Sequence, residues 1–559
     1  MLIVCFVVFP LTFSAAAGFS PSRLAVGSPT FSLEKLHGLK RNTFRTRTAI
    51  PPLLNADLEE TVSLKTEKSN PKIFLNNADA LKSSGKPFPR TWVPLASTFE
   101  LDPDRPTPLR FLSQRYVTWR DNSGTWQVMD DACPHRLAPL SEGRIERGAG
   151  ESGRLECAYH GWQFEPCSGA CACIPQVDSA VAAAALGQKR SHVATYATKI
   201  HKNILWAWLW DVGSNPNQDS AAEDAASLYS PEFMMAGVNE QGTYTRDLPY
   251  GWDTLLENIV DPSHVPFAHH GLQGKREDAI AINMSIPVNI GEKGLGGYSF
   301  EFGDRTMGMR RAGRGEFRAP FVVTYNATYE PKPGSDPSAP PRFFNLTVLC
   351  IPTAPGESRG IILSGMGGAS QKDEHEGEEG VPAAKKKKPA SKRKTSLPAK
   401  IFQLLPVWLL HLFSNRFLDS DLAFLHYQEK TLHERGVDPA EAVQGYYMVA
   451  PADRCIRTMR KWIGLHAHVL QPLPKPQFVR SVLFDRWTQH TSHCRHCQAA
   501  IAGLAKWRKN THRLLALSLL LGVPFWPARI LGIACIGLLR LYAFLEQQFK
   551  HGDYKHWQT

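Results

Sequence analysis

Cysteine is scarce for a chain of this length, eleven in 559 residues. That excludes a disulfide scaffold, which small secreted domains use in place of a core. No basic groove interleaved with aromatics occurs in the ordered-looking parts. The net charge of +12 is therefore not a nucleic-acid footprint, and no nucleic-acid partner is expected. Much of that charge is local, in Lys385–Lys388, Lys392–Lys394 and arginines of the first fifty residues. Acids are nearly missing from Gly18–Thr48, where Glu34 stands alone. Long apolar runs are lacking too. Thr511–Trp526 and Ile530–Leu545 are each at or below the length that spans a bilayer.

The hydrophobic content of 43% is enough for two or three cores. Residues 1–17 read as a signal peptide, an apolar Leu2–Phe13 followed by Ala15-Ala16-Ala17. The Ser, Thr and Arg of residues 18–48 fit a plastid transit peptide, with Phe19 at the junction. The competing reading is a plain secretory signal before a disordered N-terminus. Residues 49–86 are polar and Pro-flanked, a linker. An all-β, loop-rich domain is expected over 87–215. Arg115–Arg120 and Thr125–Asp130 flank D-N-S-G, a hairpin signal. A second domain is expected over 232–485, with strand-like runs at Gly297–Phe302, Phe321–Tyr329 and Arg342–Ile351. An acidic and then basic stretch at 369–400 reads as a disordered insertion within it. Ile401–Phe417 and Leu422–Leu432 are expected as two helices. A C-x-x-C segment follows at 486–510, and a hydrophobic helical pair split by Pro527-Ala528-Arg529 at 511–546. That pair reads as membrane-associated, a packed soluble pair being the alternative.

Two boxes carry the first chemistry, C-P-H-R at Cys133 and His135 and C-A-Y-H-G-W at Cys157 and His160. Two thiolates and two imidazoles are the ligand set of a Rieske [2Fe–2S] cluster. Zinc also takes Cys2His2, but zinc fingers pair the cysteines in one box and the histidines in the other. Here each box supplies one of each.

The second constellation is Asn258, Asp261, His264 and His269, within an arc of about 140° if the segment is one helix kinked at Pro266. Two histidines with a distant carboxylate make the facial triad of non-haem Fe(II) oxygenases. His270 rivals His269, and the spacing favours His269. Asp421 is expected as the third ligand over Asp419, although a carboxylate opening a helix is also a natural cap. Asp261 would orient His264, link it to the cluster and pass the electron, and Asn258 would line the oxygen site.

Cys494 and Cys497 form the C-x-x-C beside His490, His493 and His496. Three readings stand. The first is a redox-regulatory disulfide with thioredoxin as partner. The others are a zinc site completed by His490 and His493, and a pair of inert thiols.

Together these motifs resemble plant and algal Rieske oxygenases of the pheophorbide a oxygenase type, including translocon-associated and protochlorophyllide-linked envelope relatives. The likeness rests on the two boxes, N-x-x-D-P-x-H-V-P-F-x-H-H, D-x-D-L-x-F-L-H-x-Q-E, D-R-W-x-x-H-x-x-x-C-x-x-C and the apolar C-terminal pair. It covers roughly residues 87–550. The resemblance implies an α+β chain, an all-β Rieske domain joined to a helix-grip catalytic domain. It implies a [2Fe–2S] cluster, a mononuclear Fe(II), ferredoxin as donor and a plastid membrane, thylakoid or inner envelope. Homotrimers are common among wider Rieske oxygenases. The expected activity is monooxygenation of a chlorophyll-derived tetrapyrrole with O2. A redox-sensing component of an import complex is the alternative.

Overall fold

The computed structural model describes residues 88–210, 229–239, 242–331, 342–366, 404–467, 479–521 and 526–556. The signal peptide, transit peptide and linker expected over 1–86, and the insertion expected over 369–400, lie outside the described residues.

The first domain is all-β. Its strands are β1 (Val93–Ser97), β2 (Thr107–Phe111), β3 (Gln114–Arg120), β4 (Trp126–Asp130), β5 (Arg144–Glu146), β6 (Arg154–Glu156), β7 (Gln163–Phe164), β8 (Cys171–Cys173), β9 (Thr195–His201) and β10 (Ile204–Trp208). Six pair antiparallel in the order β1-β10-β9-β4-β3-β2, and β5-β6-β7-β8 form a second, smaller sheet. The D-N-S-G hairpin forms as expected, in the register Arg120 opposite Trp126. Asp121 closes it by accepting from Ser123 Oγ at 2.6 Å and Thr125 N at 2.9 Å, while Gly124 takes φ +87°. Val117, Trp119, Met129, Leu155 and Phe164 pack between the two sheets and bury Cys133 and Cys157 at the edge of that core.

The second domain is built on an antiparallel sheet. Its strands are β11 (Thr243–Leu248), β12 (Asn283–Met284), β13 (Val288–Asn289), β14 (Gly297–Thr306), β15 (Met309–Arg318), β16 (Val322–Tyr329), β17 (Arg342–Ala354) and β18 (Glu357–Met366). The order is β11-β18-β17-β16-β15-β14-β12, with β13 also on β14. Helices α1 (Trp252–Ile259), α2 (Val265–Ala268), α3 (Val407–Glu434) and α4 (Asp453–His466) complete the domain. Arg460 of α4 is buried against Asp253 and Glu257 of α1, and Gln428 of α3 donates to Glu257 at 2.6 Å. These buried polar contacts tie α1 and α4 to α3.

Residues 401–432 were expected as two helices, but Val407–Glu434 is one helix of 28 residues. The D-S-D at 419–421 reads as a break only because Asp favours helix ends; buried partners hold both aspartates mid-helix, and Asp421 caps nothing. Asn258–His269 is likewise not one helix. The peptide before Pro262 disfavours helical backbone, so α1 stops at Ile259. Asp261 then sits extended and accepts from Ser263 N at 2.8 Å, opening a single 3-10 turn over Pro262–His264.

At the C-terminus, α5 (Arg495–Leu521) and α6 (Trp526–Lys550) run against each other. The C-x-x-C therefore opens a long helix, Cys494 standing just before α5 and Cys497 in its first turn. Among the described residues α6 is the helix long and apolar enough to cross a membrane, and little of it is buried.

Candidate metal centres

The two boxes share one backbone design. Cys133 N donates to Ala138 O and Leu137 N to Cys133 O, at 2.8 and 2.7 Å. Cys157 N donates to Trp162 O and Gly161 N to Cys157 O, at 2.9 and 3.0 Å. Leu137 and Gly161, four residues after each cysteine, both take left-handed φ, +58° and +72°. Each tight loop thus sends a buried thiol and a half-buried imidazole toward the same point. His135 and His160 lie 4.5 Å apart between ring centres, and Trp162 stacks on His135 at 4.9 Å and 5°.

This donor set fits the cluster. Burial pushes the Cys133 thiol up to about 12, a cost that a bound cation offsets. His135 Nδ1 is buried without a hydrogen-bond partner among the described residues, as a ligating nitrogen would be. Burial, with His160 and Arg136 nearby, holds His135 below its usual range and so neutral.

The second centre gathers His264, His269 and Asp421, whose ligand atoms all lie within 4.8 Å of one another. His264 Nε2 faces His269 Nε2 at 3.2 Å, and His269 Nε2 lies 3.5 Å from Asp421 Oδ2. Ser420 Oγ donates to Phe417 O at 2.6 Å, so it accepts from His269 Nδ1–H at 2.7 Å. That fixes the tautomer and leaves the Nε2 lone pair toward the centre. Phe417 stacks on His269 with ring centres 3.9 Å apart. Burial, then His264 and His556, hold His269 well below its usual range.

Asp261 Oδ2 is 3.8 Å from His264 Nδ1. Burial alone would lower His264, but Asp261 and Asp421 more than reverse it. Burial pushes the Asp421 carboxyl up to about 7, with His264 and the Asn258 side chain pulling the other way. Asp421 Oδ1 is buried with no hydrogen-bond partner among the described residues. A buried carboxylate with Oδ2 3.5 Å from His269 Nε2 and Oδ1 unpartnered, beside two imidazole nitrogens 3.2 Å apart, is what a hard-to-borderline divalent cation fits.

The rivals are turned elsewhere. His270 Nδ1 accepts from Arg276 N at 3.0 Å. Asp419 accepts from Arg246 at 2.8 Å and from Arg486 Nε at 3.0 Å, all three buried. Cys494 and Cys497 are buried free thiols. The sulfurs face His490 and also His411, a residue with no local signal in W-L-L-H-L-F. His493, expected as the companion zinc ligand, is not in that group. Ser420 was missed for the same reason as His411. Each matters through a contact that only the tertiary fold makes.

An all-β [2Fe–2S] domain in front of a sheet-and-helix domain with a His-His-Asp centre defines a Rieske non-haem iron oxygenase. The Rieske [2Fe-2S] domain model matches residues 91–197, and the pheophorbide a oxygenase model matches residues 317–438. Pheophorbide a oxygenase of Oryza sativa subsp. japonica is 30% identical, over 83% of this chain and 84% of its own. Protochlorophyllide-dependent translocon component 52 of Arabidopsis thaliana is 30% identical over 71% of each. Flavonoid 8-hydroxylase 2 of Ocimum basilicum is 26% identical, over 83% of this chain and 85% of its own. The chain belongs to the pheophorbide a oxygenase family of Rieske oxygenases. Its cofactors are a [2Fe–2S] cluster and a mononuclear non-haem iron, and it uses an electron donor, O2 and an organic substrate. Like these chloroplast proteins, it is a plastid protein.

Proposed function

We propose that this chain is a ferredoxin-dependent monooxygenase of a chlorophyll-derived tetrapyrrole, of the pheophorbide a or chlorophyllide a oxygenase type. The observation that carries it is the buried His264–His269–Asp421 set following two intact Rieske boxes in one chain. Cys133, His135, Cys157 and His160 would hold the cluster, and His264, His269 and Asp421 the iron. When bound, the cluster supplies single electrons and the iron activates dioxygen. The chain's own residues do the positioning. Asp261 lies behind His264, its Oδ2 3.8 Å from Nδ1, and that place suits it to orient the ligand and to join the two centres. Ser420 holds His269. Asn258, buried beside Asp421, borders the space left for oxygen. Leu137 and Tyr159 on the cluster loops are exposed, as is Phe267 beside the iron site. We take these apolar tips as contacts between copies in a homotrimer, which would set the cluster-holding loops of one copy beside Asp261 of the next. Membrane attachment through α5 and α6, at the thylakoid or inner envelope, completes the reading.

The test supplies purified protein with reduced ferredoxin and labelled dioxygen. Pheophorbide a, chlorophyllide, protochlorophyllide and linear bilins are offered in turn, with a flavone as control, and products are read by mass. Label in a tetrapyrrole is the expected result, and label in none of them overturns the substrate class. A redox-sensing import component is the second reading, consistent with the name of the Arabidopsis translocon relative. Iron content separates them: three irons per chain for the oxygenase, two for an electron carrier alone.

A further inference from the structure

Beyond the two iron centres, the described residues contain another group of metal-ligating side chains. His411, His490, Cys494 and Cys497 are all buried, with ligand atoms within 4.8 Å of one another. His411 Nδ1 lies 3.2 Å from His490 Nε2. Cys494 Sγ is 3.4 Å and Cys497 Sγ 3.6 Å from His411 Nδ1, and Cys497 Sγ is 3.3 Å from His490 Nε2. A tetrahedral zinc, at about 2.3 Å from sulfur and about 2.05 Å from nitrogen, sets edges of ~3.3 Å between nitrogens and ~3.5 Å between nitrogen and sulfur. The nitrogen pair and three of the nitrogen–sulfur pairs already stand near those separations.

The outer contacts are those of metal ligands too. His411 Nε2–H donates to Thr243 O at 3.1 Å, and His490 Nδ1–H donates to Thr245 O at 2.6 Å. Both carbonyls belong to β11, the edge strand of the catalytic sheet, whose other side is paired with β18. Such bonds fix the tautomers and turn a lone pair of each ring into the cluster. Two bare imidazole nitrogens 3.2 Å apart repel unless a cation or donor lies between them. A Cys494–Cys497 disulfide would remove the sulfur protons and supply neither. Two thiolates on a divalent cation instead make a neutral unit, which suits a buried site. Glu100 lies beside it, 3.8 Å from His490 Nδ1, but its oxygens accept from Thr243 Oγ1 and from Thr245 N and Oγ1, so it is not a ligand.

We infer that His411, His490, Cys494 and Cys497 bind one structural zinc ion that pins the first turn of α5 to α3 and to the edge of the catalytic sheet. The ion closes a four-coordinate Cys2His2 shell with no open position, so its role is structural. It anchors the base of the apolar helical pair to the body that holds the mononuclear centre. The C-x-x-C is thereby a metal clamp rather than a thiol–disulfide switch, and this does not depend on which substrate is oxidised.

The holoenzyme tests it, isolated without chelators. Elemental analysis should give one zinc per chain beside the iron, and zinc-edge X-ray absorption should show two sulfur and two nitrogen scatterers. A mercurial thiol reagent should release that zinc to a chromogenic indicator. In Cys494→Ser/Cys497→Ser the zinc should fall at least tenfold, while the Rieske EPR signal persists. Protein lacking zinc, with either two titratable thiols or a disulfide at 494–497, overturns the inference. Zinc with no sulfur neighbours, or zinc retained in the double variant, does the same. Should the variant not fold, the absorption spectrum and mercurial release of the unaltered protein decide.

Discussion

Asp419 and Asp421 lie two residues apart on α3 and serve opposite sides of it. Two residues turn a helix by about 200°. Asp419 therefore points into the Arg246–Arg486 pair, and Asp421 toward His264 and His269. The two should separate cleanly on mutation. Asp421→Asn should abolish mononuclear iron binding and turnover while keeping the cluster signal. Asp419→Asn should leave two buried guanidinium groups short of charge and destabilise the fold by about 3–5 kcal/mol. Any Asp419→Asn protein that folds should still bind the mononuclear iron. Iron counts and thermal denaturation check both; loss of mononuclear iron from folded Asp419→Asn, with retention in Asp421→Asn, would reverse the assignment.

That pair also shows what a sequence can and cannot carry. Both boxes and the 258–269 motif are local, because each cluster loop closes within five residues and Asp261 opens a single turn ending at His264. They are legible as text. Asp421 is preferred over Asp419 by motif, but the physical ground for that choice, the two arginines that engage Asp419, forms only in the fold. Helix limits failed at 417–422 for a related reason. Local propensity marks D-S-D as a helix end, while buried partners outweigh the few tenths of a kcal/mol involved. His411 is the extreme case. It is an ordinary histidine on an apolar stripe until β11, His490 and α5 arrive around it.

Metal-free protein should carry a pH signature from Asp421. Its folded pKa is raised from 3.8 to about 7 by burial. The unfolded chain then loses this proton near pH 4 while the folded chain keeps it to about 7. Stability contributed by this group is full below pH 4, falls as pH rises to 7 and is flat above, a loss on the order of 4 kcal/mol. Asp421→Asn should lack that fall. Parallel urea titrations of the two apoproteins between pH 5 and 8 measure it, and equal slopes would refute the carboxyl's role.

Ser420→Ala should leave His269 Nδ1 without an acceptor. Losing a partner of this kind typically costs 10–100-fold in metal affinity. Iron(II) titration of the variant should show a weakened mononuclear site with the Rieske signal unchanged. An unchanged affinity would mean that the Phe417 stack alone orients the ring.

Gly161 and Leu137 take the same left-handed turn, yet they should respond differently to substitution. Gly161→Ala forces a Cβ to within 3.1 Å of Pro175 Cγ at φ +72°, and should cost about 1–2 kcal/mol. Leu137→Gly relieves strain but frees the unfolded chain, and the net change should stay within about 0.5 kcal/mol. Denaturant midpoints of the two variants report the difference.

Mixed trimers test transfer between copies. A His160→Ala chain has no intact cluster ligand set, and a His264→Ala chain no intact iron site. Co-expressed, they should recover turnover that neither shows alone. Verified mixed assemblies that stay inactive would confine the electron to one chain.

The 28-residue α3 carries His411, Asp419, Ser420, Asp421 and Gln428 on a single uninterrupted rod. Inserting or deleting one residue between His411 and Asp421 would rotate one relative to the other by about 100°. No side-chain substitution can undo such a rotation. A change of length in this stretch should therefore disable both metal-ligating groups even with every side chain kept, so its residue count is as much a part of them as the residues themselves.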